Sequence, residues 1–169
     1  MVRILLLRHA RAGWAAPGMR DYDRPLEDSG RIDARAIGQA MRHRGYSPAK
    51  TICSGAMRAR ETLVGLTGSL ELRDISYSDG LYETDANGYL AMIRSAGDVE
   101  SVLLVGHNPM MEDTGLALSG NGQADAIELL SGGFPTAGLA VIRMDSPLAH
   151  AELGKGYLED FLTPANIAD

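Results

Sequence analysis

The chain has 169 residues, of which 45% are hydrophobic and 22% are charged, as is typical of a folded globular domain rather than of a disordered or fibrous protein. We therefore expect a single domain over residues 1–169. The formal net charge of −6 argues against binding to nucleic acid or to an anionic membrane surface, because both need a basic face. Any site for an anion must then be formed by a local group of basic side chains rather than by a basic surface.

Cysteine usage and the N-terminal residues predict the cellular compartment. Cys53 is the single cysteine, so the chain forms no internal disulfide, and one thiol cannot build a zinc site. The N-terminal apolar run at 4–7 is broken by Arg8 and is far too short for a signal-peptide core or a membrane span. These features predict a cytoplasmic protein that does not enter a membrane. They leave the oligomeric state open.

Apolar patterning predicts strands that alternate with helices. The first strand is a continuous aliphatic run at 2–7, as expected for a strand buried on both faces. A helix follows, capped by Asp28 or Ser29 and ended after Arg44 by Gly45. The later elements, in chain order, are a strand at 51–53, a helix at 56–66, a strand at 70–77, a helix at 86–95, a strand at 101–105, a helix capped by Asn108 with Pro109 in its first turn and ended by Gly120, a loop at 120–125, and strands at 139–144 and 156–161.

This alternation predicts an α/β layered sandwich with right-handed crossovers, in which a mostly parallel sheet carries helices on both faces. The carboxyl ends of parallel strands meet at one edge of the sheet, where ligands bind. Polar side chains follow three of the predicted strands: Arg8 and His9 the first, Ser54 and Arg58 the second, and His107 and Asn108 the fourth. We expect these side chains to converge in one cleft.

Two arginines and two histidines beside helix N-termini indicate a pocket for an anion, and phosphate fits it best. Arginine binds phosphate oxygens in a bidentate manner, while an imidazole is either a nucleophile or a proton donor near neutral pH. His9 and His107 can divide these roles. Ser54 is predicted to cap the next helix, and contact of the same side chain with the ligand is the less favoured addition. Cys53 is predicted to be a core residue, since its spacing to the following arginines differs from the Cys-x5-Arg loop of cysteine phosphatases.

Three ordered motifs together resemble the histidine phosphatase superfamily. They are LLLRHARAGW at 5–14, ICSGAMRARET at 52–62 and LLVGHNP at 103–109. The RHG signature of that family, whose fold is that of phosphoglycerate mutase, corresponds here to Arg8, His9 and Ala10. The short chain, this RHA variant, the segment DYDRPLEDSGRIDA at 21–34 and the lack of a cap insertion resemble the small SixA-type phosphohistidine phosphatase branch.

The resemblance implies a mechanism. His9 would attack phosphorus and become transiently phosphorylated, while Arg8, Arg58 and His107 hold the three non-bridging oxygens. Water would then hydrolyse the phosphoenzyme. This chemistry needs no metal and no other cofactor. The phosphate pocket would also include Ser54 and Asn108.

The proton donor bears on the substrate. Larger members of the superfamily carry an acidic donor, and the candidates here are Glu83 and Asp85 in GLYETDANG at 80–88, unless both are solvated loop carboxylates. A weak or missing acid favours phosphohistidine on a protein domain, whose leaving nitrogen is easily protonated, over a small phosphomonoester, whose leaving oxygen needs a proton. Both substrates stay open. A non-catalytic phosphate-binding or phosphoprotein-binding module is disfavoured, because it need not retain His9.

Overall fold

A seven-stranded sheet with helices on both faces organises the protein, whose computed structural model describes residues 1–168. The elements in chain order are β1 (Val2–Arg8), α1 (Asp28–Arg44), β2 (Lys50–Cys53), α2 (Met57–Thr67), β3 (Ile75–Tyr77), α3 (Gly80–Glu83), α4 (Ala86–Arg94), β4 (Ser101–Gly106), α5 (Met110–Leu118), β5 (Ser119–Gly122), α6 (Ala124–Ser131), β6 (Leu139–Met144) and β7 (Gly156–Leu162). The strand order is β3-β2-β4-β1-β6-β7-β5. Strand β6 pairs antiparallel with β1 and with β7, and the other strand pairs of this sheet within residues 1–168 are parallel. The predicted α/β fold with a mostly parallel sheet is confirmed.

Strand β1 is central because it pairs on both sides and is buried on both faces. It lies parallel to β4 and antiparallel to β6. Since side chains alternate along a strand, Ile4 and Leu6 enter one hydrophobic core, while Leu5 and Leu7 enter the other. Each of these side chains is at most 1% exposed. Burial of an aliphatic side chain stabilises a fold by roughly 1.5–3 kcal/mol, so β1 fixes the two layers against each other.

The helices divide between the two faces of the sheet. Helices α1 and α2 cover the face that carries Leu5 and Leu7, while α4, α5 and α6 cover the opposite face. Close contact between α1 and α2 requires glycine, because a Cβ at Gly65 would lie 2.6 Å from the Cβ of Ala34. Among residues 1–168, no helix combines the length and the apolar composition needed to cross a bilayer.

Two predicted segments differ in the structure. The strand expected at 70–77 is reduced to Ile75–Tyr77, whose three residues are exposed because β3 is an edge strand. The prediction of a loop at 120–125 is wrong, because Ser119–Gly122 forms β5 beside β7 and α6 begins at Ala124. A Cβ at Gly120 would clash with the backbone of Gly154. The glycines that suggested a loop therefore permit close backbone pairing.

Helix ends also differ from the predictions. Helix α1 begins at Asp28, so its N-cap residue is Glu27. The prediction that Asp28 or Ser29 caps this helix is wrong. Gly45 ends this helix in the left-handed conformation, with φ 77°, as expected. Helix α5 begins at Met110 and ends at Leu118, so Pro109 precedes it and Gly120 lies beyond it. The one-turn helix α3 was not predicted, since four residues carry no helical periodicity.

Candidate active site

The polar side chains predicted to converge lie at the carboxyl ends of β1, β2 and β4. Arg8 is the last residue of β1, and the backbone N–H of His9 donates to the carbonyl of Gly106 at the end of β4, 3.0 Å away. The backbone N–H of Ser54 donates to the carbonyl of Val105 over 2.9 Å. The strand register therefore brings three chain segments that are distant in sequence to one edge of the sheet.

His9 is 8% exposed, and its ring centroid lies 5.1 Å from that of His107. Its Nδ1 lies 2.7 Å from the carbonyl oxygen of Ala10. A carbonyl only accepts hydrogen bonds, so Nδ1 carries the hydrogen and Nε2 keeps a lone pair. Burial, together with smaller contributions from the charges of Arg58 and Arg8, lowers the pKa of His9 to about 3. The imidazole is therefore neutral at physiological pH.

His107 is held by Ser54 and Tyr89. Its Nε2 lies 2.8 Å from Oγ of Ser54, and its backbone N–H donates to the hydroxyl of Tyr89 over 3.0 Å. Oγ of Ser54 also accepts from the N–H of Ala56, and because a hydroxyl both donates and accepts, it can pair with Nε2 in either tautomer of His107. Nδ1 of His107 is buried without a partner in the described part of the chain, and it carries a hydrogen in the tautomer whose Nε2 accepts from Ser54. Burial lowers the pKa of His107 to about 4.

Ser54 therefore does not cap α2. The N-cap residue of that helix is Ala56, which makes no capping hydrogen bond through its side chain. Ser54 is fully buried and contacts His107 instead. The prediction of a helix cap at Ser54 is wrong, because the serine lies two residues too early in the turn.

Arg8 and Arg58 each donate hydrogen bonds from Nη atoms of the guanidinium to the protein, while the Nε–H of each has no partner among residues 1–168. Arg8 donates from Nη1 to the carbonyl of Phe134 over 2.9 Å. Arg58 donates from Nη1 to the carbonyl of Asp21 over 2.8 Å and from Nη2 to its Oδ2 over 3.0 Å. The Nε atoms of both arginines are buried without an acceptor within residues 1–168. An unsatisfied buried donor costs about 1–3 kcal/mol, so these groups indicate a site for an anion.

Asn108 supports the pocket from behind. Its Nδ2 donates over 3.0 Å to the carbonyl of Phe134, the same oxygen that accepts from Arg8. Its Oδ1 accepts from the N–H of Glu112 in the first turn of α5. Both polar atoms of the Asn108 amide are therefore hydrogen-bonded within the protein, and the bond to Phe134 fixes the carbonyl that also accepts from Arg8. A direct contact of Asn108 with phosphate stays a prediction.

The two candidate acids lie on the surface. Glu83 is exposed at the end of α3. Asp85 is exposed as well, and its Oδ1 accepts from the N–H of Gly88 over 3.0 Å and so caps α4. No hydrogen bond or ion pair of the described residues joins either carboxylate to Arg58 or His107.

The structure adds residues that sequence analysis missed. Asp21 binds Arg58, Tyr82 donates to Oδ2 of Asp21 over 2.8 Å, and the Tyr82 ring lies edge-on to His107 at 5.4 Å. Asp21 lies in the segment 21–34, which resembles the SixA-type branch, and Tyr82 lies in the segment 80–88, which contains the two candidate acids. Their contact spans 61 positions, and no local pattern reports such a pair.

Other chemistries find less support. Cys53 is fully buried, and burial raises the pKa of its thiol to about 12, so it is a core residue rather than a nucleophile. In the part of the chain that the structure describes, no three His, Cys, Asp or Glu side chains are grouped as ligands of a metal ion.

Comparisons with known proteins agree with this geometry. The family model of the histidine phosphatase superfamily (branch 1) matches residues 4–96. An uncharacterised protein of Mycobacterium leprae is 34% identical over 163 residues, which cover 94% of this chain and 99% of the relative. A crystal structure from Agrobacterium tumefaciens, provisionally assigned as a phosphohistidine phosphatase SixA, is 39% identical, with a TM-score of 0.82 and coverage of 96% of this chain and 99% of that one.

A second structure with the same provisional assignment, from Nakamurella multipartitia, is 32% identical, with a TM-score of 0.82 and coverage of 96% of both chains. The match of the family model spans more than half of the 169 residues, and the relatives span nearly all of them. The resemblance inferred from the three motifs is confirmed. The chain belongs to the histidine phosphatase superfamily and is a phosphatase of the histidine-nucleophile type.

Proposed function

We propose that this phosphatase removes the phosphoryl group from phosphohistidine on a protein domain, with His9 as the nucleophile. The hydrogen bond from Nδ1 of His9 to the carbonyl of Ala10, 2.7 Å long, carries the proposal. It orients the ring in the tautomer whose Nε2 can attack phosphorus. Because burial holds the pKa of His9 at about 3, Nε2 is free of a proton without the help of a general base.

Three unpartnered N–H groups match the three non-bridging oxygens of a phosphoryl group. They are Nε–H of Arg8, Nε–H of Arg58 and, in the tautomer whose Nε2 accepts from Ser54, Nδ1–H of His107; the three nitrogens are buried. Donors that are fixed before the reaction stabilise the charge of the transition state without reorganisation. Ser54 acts through His107, whose Nε2 it holds, and Asn108 acts through the carbonyl that anchors Arg8.

The reaction follows from this arrangement. Near neutral pH the second ring nitrogen of the substrate phosphohistidine can take a proton from solvent, since an imidazole has an ordinary pKa near 6.5. Nε2 of His9 then forms a bond to phosphorus as the bond from phosphorus to the substrate nitrogen breaks, and the substrate ring leaves as neutral imidazole. Water attacks the phosphorus on His9, the bond from phosphorus to Nε2 breaks, and inorganic phosphate and the neutral imidazole of His9 are released.

The position of the acid candidates supports phosphohistidine over an alkyl phosphate. Glu83 and Asp85 are exposed, and Asp85 is engaged as a helix cap. An alkoxide leaving group needs a positioned acid, whereas an imidazole does not. The Agrobacterium tumefaciens relative, provisionally assigned as a phosphohistidine phosphatase, is 39% identical along nearly its whole length, which favours the same substrate class here.

The nucleophile is tested by trapping the intermediate. We expect a phosphoryl group on His9 when wild-type enzyme is quenched during turnover in alkali, where phosphohistidine is stable, and peptides are mapped by mass spectrometry. His9→Ala should abolish both the label and the turnover, while replacement of the exposed His43 by Ala should change neither. A label on Cys53 or Ser54, or full activity of His9→Ala, would refute the assignment.

The substrate is tested by a comparison of kcat/KM. A phosphorylated histidine phosphotransfer domain should exceed every member of a panel of sugar phosphates and nucleotides, and aryl phosphates should exceed alkyl phosphates. A sugar phosphate that is hydrolysed faster than all phosphohistidine donors would establish the alternative, a phosphatase of small phosphomonoesters. In that case Glu83→Gln and Asp85→Asn identify whether either carboxylate supplies the proton.

A further inference from the structure

The turn at Asp21–Asp23, between β1 and α1, binds directly to an arginine of the pocket. Arg58 is only 6% exposed, and two of its nitrogens donate to Asp21, one to the backbone carbonyl and one to the carboxylate. The other carboxylate oxygen of Asp21 lies 2.9 Å from Nε of Arg24. The fold therefore brings the carboxylate of Asp21 into contact with Arg58, a residue of the proposed phosphate pocket.

The way in which Asp21 binds Arg58 determines what the guanidinium can offer to a ligand. A guanidinium has two edges for bidentate binding, one formed by Nη1 and Nη2 and the other by Nε and Nη2. Asp21 occupies the first edge, with distances of 2.8 and 3.0 Å. The second edge contains the buried Nε–H that has no partner among residues 1–168. This second edge is the one left for phosphate oxygens.

Tyr82 in α3 binds Asp21 and also lies beside Arg58 and His107. Its hydroxyl donates to Oδ2 of Asp21 over 2.8 Å. The centroid of its ring lies 5.7 Å from Cζ of Arg58 and 5.4 Å from the ring centroid of His107, with the two rings in an edge-on arrangement. A second bond of the same kind, from the hydroxyl of Tyr22 to Oδ1 of Asp79, 2.6 Å long, fastens the same turn to the start of α3. The turn is thus held in place at two points.

We propose that Asp21, held by Tyr82, is a positioning residue that orients Arg58 so that its Nε and Nη2 edge faces the transferring phosphoryl group. The inference rests on the proposed role of Arg58 in phosphate binding. Asp21 is not a proton donor in this proposal. Its carboxylate accepts from Tyr82 and Arg58 and pairs with Arg24, which lowers its pKa below the ordinary value and keeps it ionised.

The test measures kcat and KM with 4-nitrophenyl phosphate, whose leaving group needs no proton, so the loss of a general acid would have little effect. Asp21→Ala should lower kcat about 10- to 100-fold, the scale expected when a catalytic group is misplaced by about 1 Å. Asp21→Asn keeps an oxygen acceptor for Arg58 and should recover most of that loss, to within about fivefold of the wild type. Tyr82→Phe should fall between the two.

A matched control comes from the same turn. Asp23 pairs on the surface with Arg20, 2.8 Å away, and Asp23→Asn should have wild-type kinetics. Circular dichroism melts of each variant show whether the fold is intact. If Asp21→Ala unfolds, Asp21→Asn and Tyr82→Phe still test the proposal, because they conserve the size of the side chains.

A double-mutant cycle separates positioning from a general structural effect. In an Arg58→Ala background, Asp21→Ala should change kcat by less than about twofold, since a residue that acts through Arg58 has nothing left to orient. Additive losses would overturn the proposal, as would wild-type or faster turnover of Asp21→Ala, or an Asp21→Asn variant as slow as Asp21→Ala. Wild-type turnover of Arg58→Ala alone would instead refute the proposed function.

Discussion

The two pocket histidines make the stability of the protein sensitive to acid. His9 and His107 are 8% and 5% exposed, and burial lowers their pKa values to about 3 and about 4. In the unfolded chain both imidazoles have a pKa near 6.5. Between these values the unfolded state binds more protons than the folded state, so the free energy of unfolding falls as the pH falls from about 6.5 towards 4.

The size of the effect follows from the pKa differences. At pH 5 an unfolded histidine with a pKa of 6.5 is protonated, whereas the folded His9, with a pKa of about 3, is still neutral. Each pKa unit corresponds to about 1.4 kcal/mol, and about 1.5 units separate pH 5 from 6.5, so each histidine should remove about 2 kcal/mol of stability on going from pH 8 to pH 5. Above pH 7 the contribution vanishes, because both states are neutral.

Urea unfolding at pH 8 and at pH 5 measures this loss. We expect His9→Asn to lose about 2 kcal/mol less than the wild type over the interval, because asparagine does not titrate and its amide can still donate to the carbonyl of Ala10. His107→Asn should behave in the same way. His150→Asn is the matched control, since His150 is exposed. Contributions from carboxylates cancel in the difference between each variant and the wild type.

Equal pH dependence in the wild type and in His9→Asn would refute the reasoning. That result would mean that the folded protein binds a proton at His9 as readily as the unfolded chain does. A neutral nucleophile at acid pH would then be excluded, and the proposed mechanism would need a separate base.

Three further predictions concern substitutions of single residues, and a fourth concerns a metal chelator. His107→Ala should lower kcat by about 10² to 10³, the usual loss for one preorganised donor, and EDTA should leave the wild-type rate unchanged in the same assay. Ser54→Ala should lower kcat by about tenfold without affecting the fold, because it frees the ring nitrogen that the hydroxyl holds at 2.8 Å; an unchanged kcat would contradict this role. Gly65→Val should lower the free energy of unfolding by about 1–3 kcal/mol, since its Cβ would press on Ala34, whereas Gly68→Ala, with its nearest neighbour at 3.7 Å, should not.

The sequence predicted those parts of the fold whose signals are local and strong. The aliphatic run of β1 predicted a buried central strand, and Gly45 predicted the end of α1. The positions of Arg8 and His107 at strand ends were predictable because parallel strands deliver their carboxyl ends to one edge. In each case a few neighbouring residues contain the whole signal.

Other parts depend on contacts between distant segments. Strand β5 contains two glycines and no apolar pattern, and it forms because its backbone pairs with β7. The contacts of Asp21 with Arg58 and Tyr82 cross 37 and 61 positions. Serine is a residue type that often caps helices. Oγ of Ser54 instead pairs with Nε2 of His107, because the fold brings that ring within hydrogen-bond distance. Local propensity cannot report any of these outcomes.

Burial explains how a chain of net charge −6 can bind a phosphoryl group. His9 and Arg58 are 8% and 6% exposed, so the charge of Arg58 is little screened by solvent where it acts on His9. The same burial leaves the Nε–H groups of Arg8 and Arg58 unsatisfied among the described residues, which destabilises the free protein. In the proposed function, a bound phosphoryl group satisfies these donors and reverses that penalty. The expected acid sensitivity of the fold and the proposed affinity of the pocket for phosphate therefore have one physical origin.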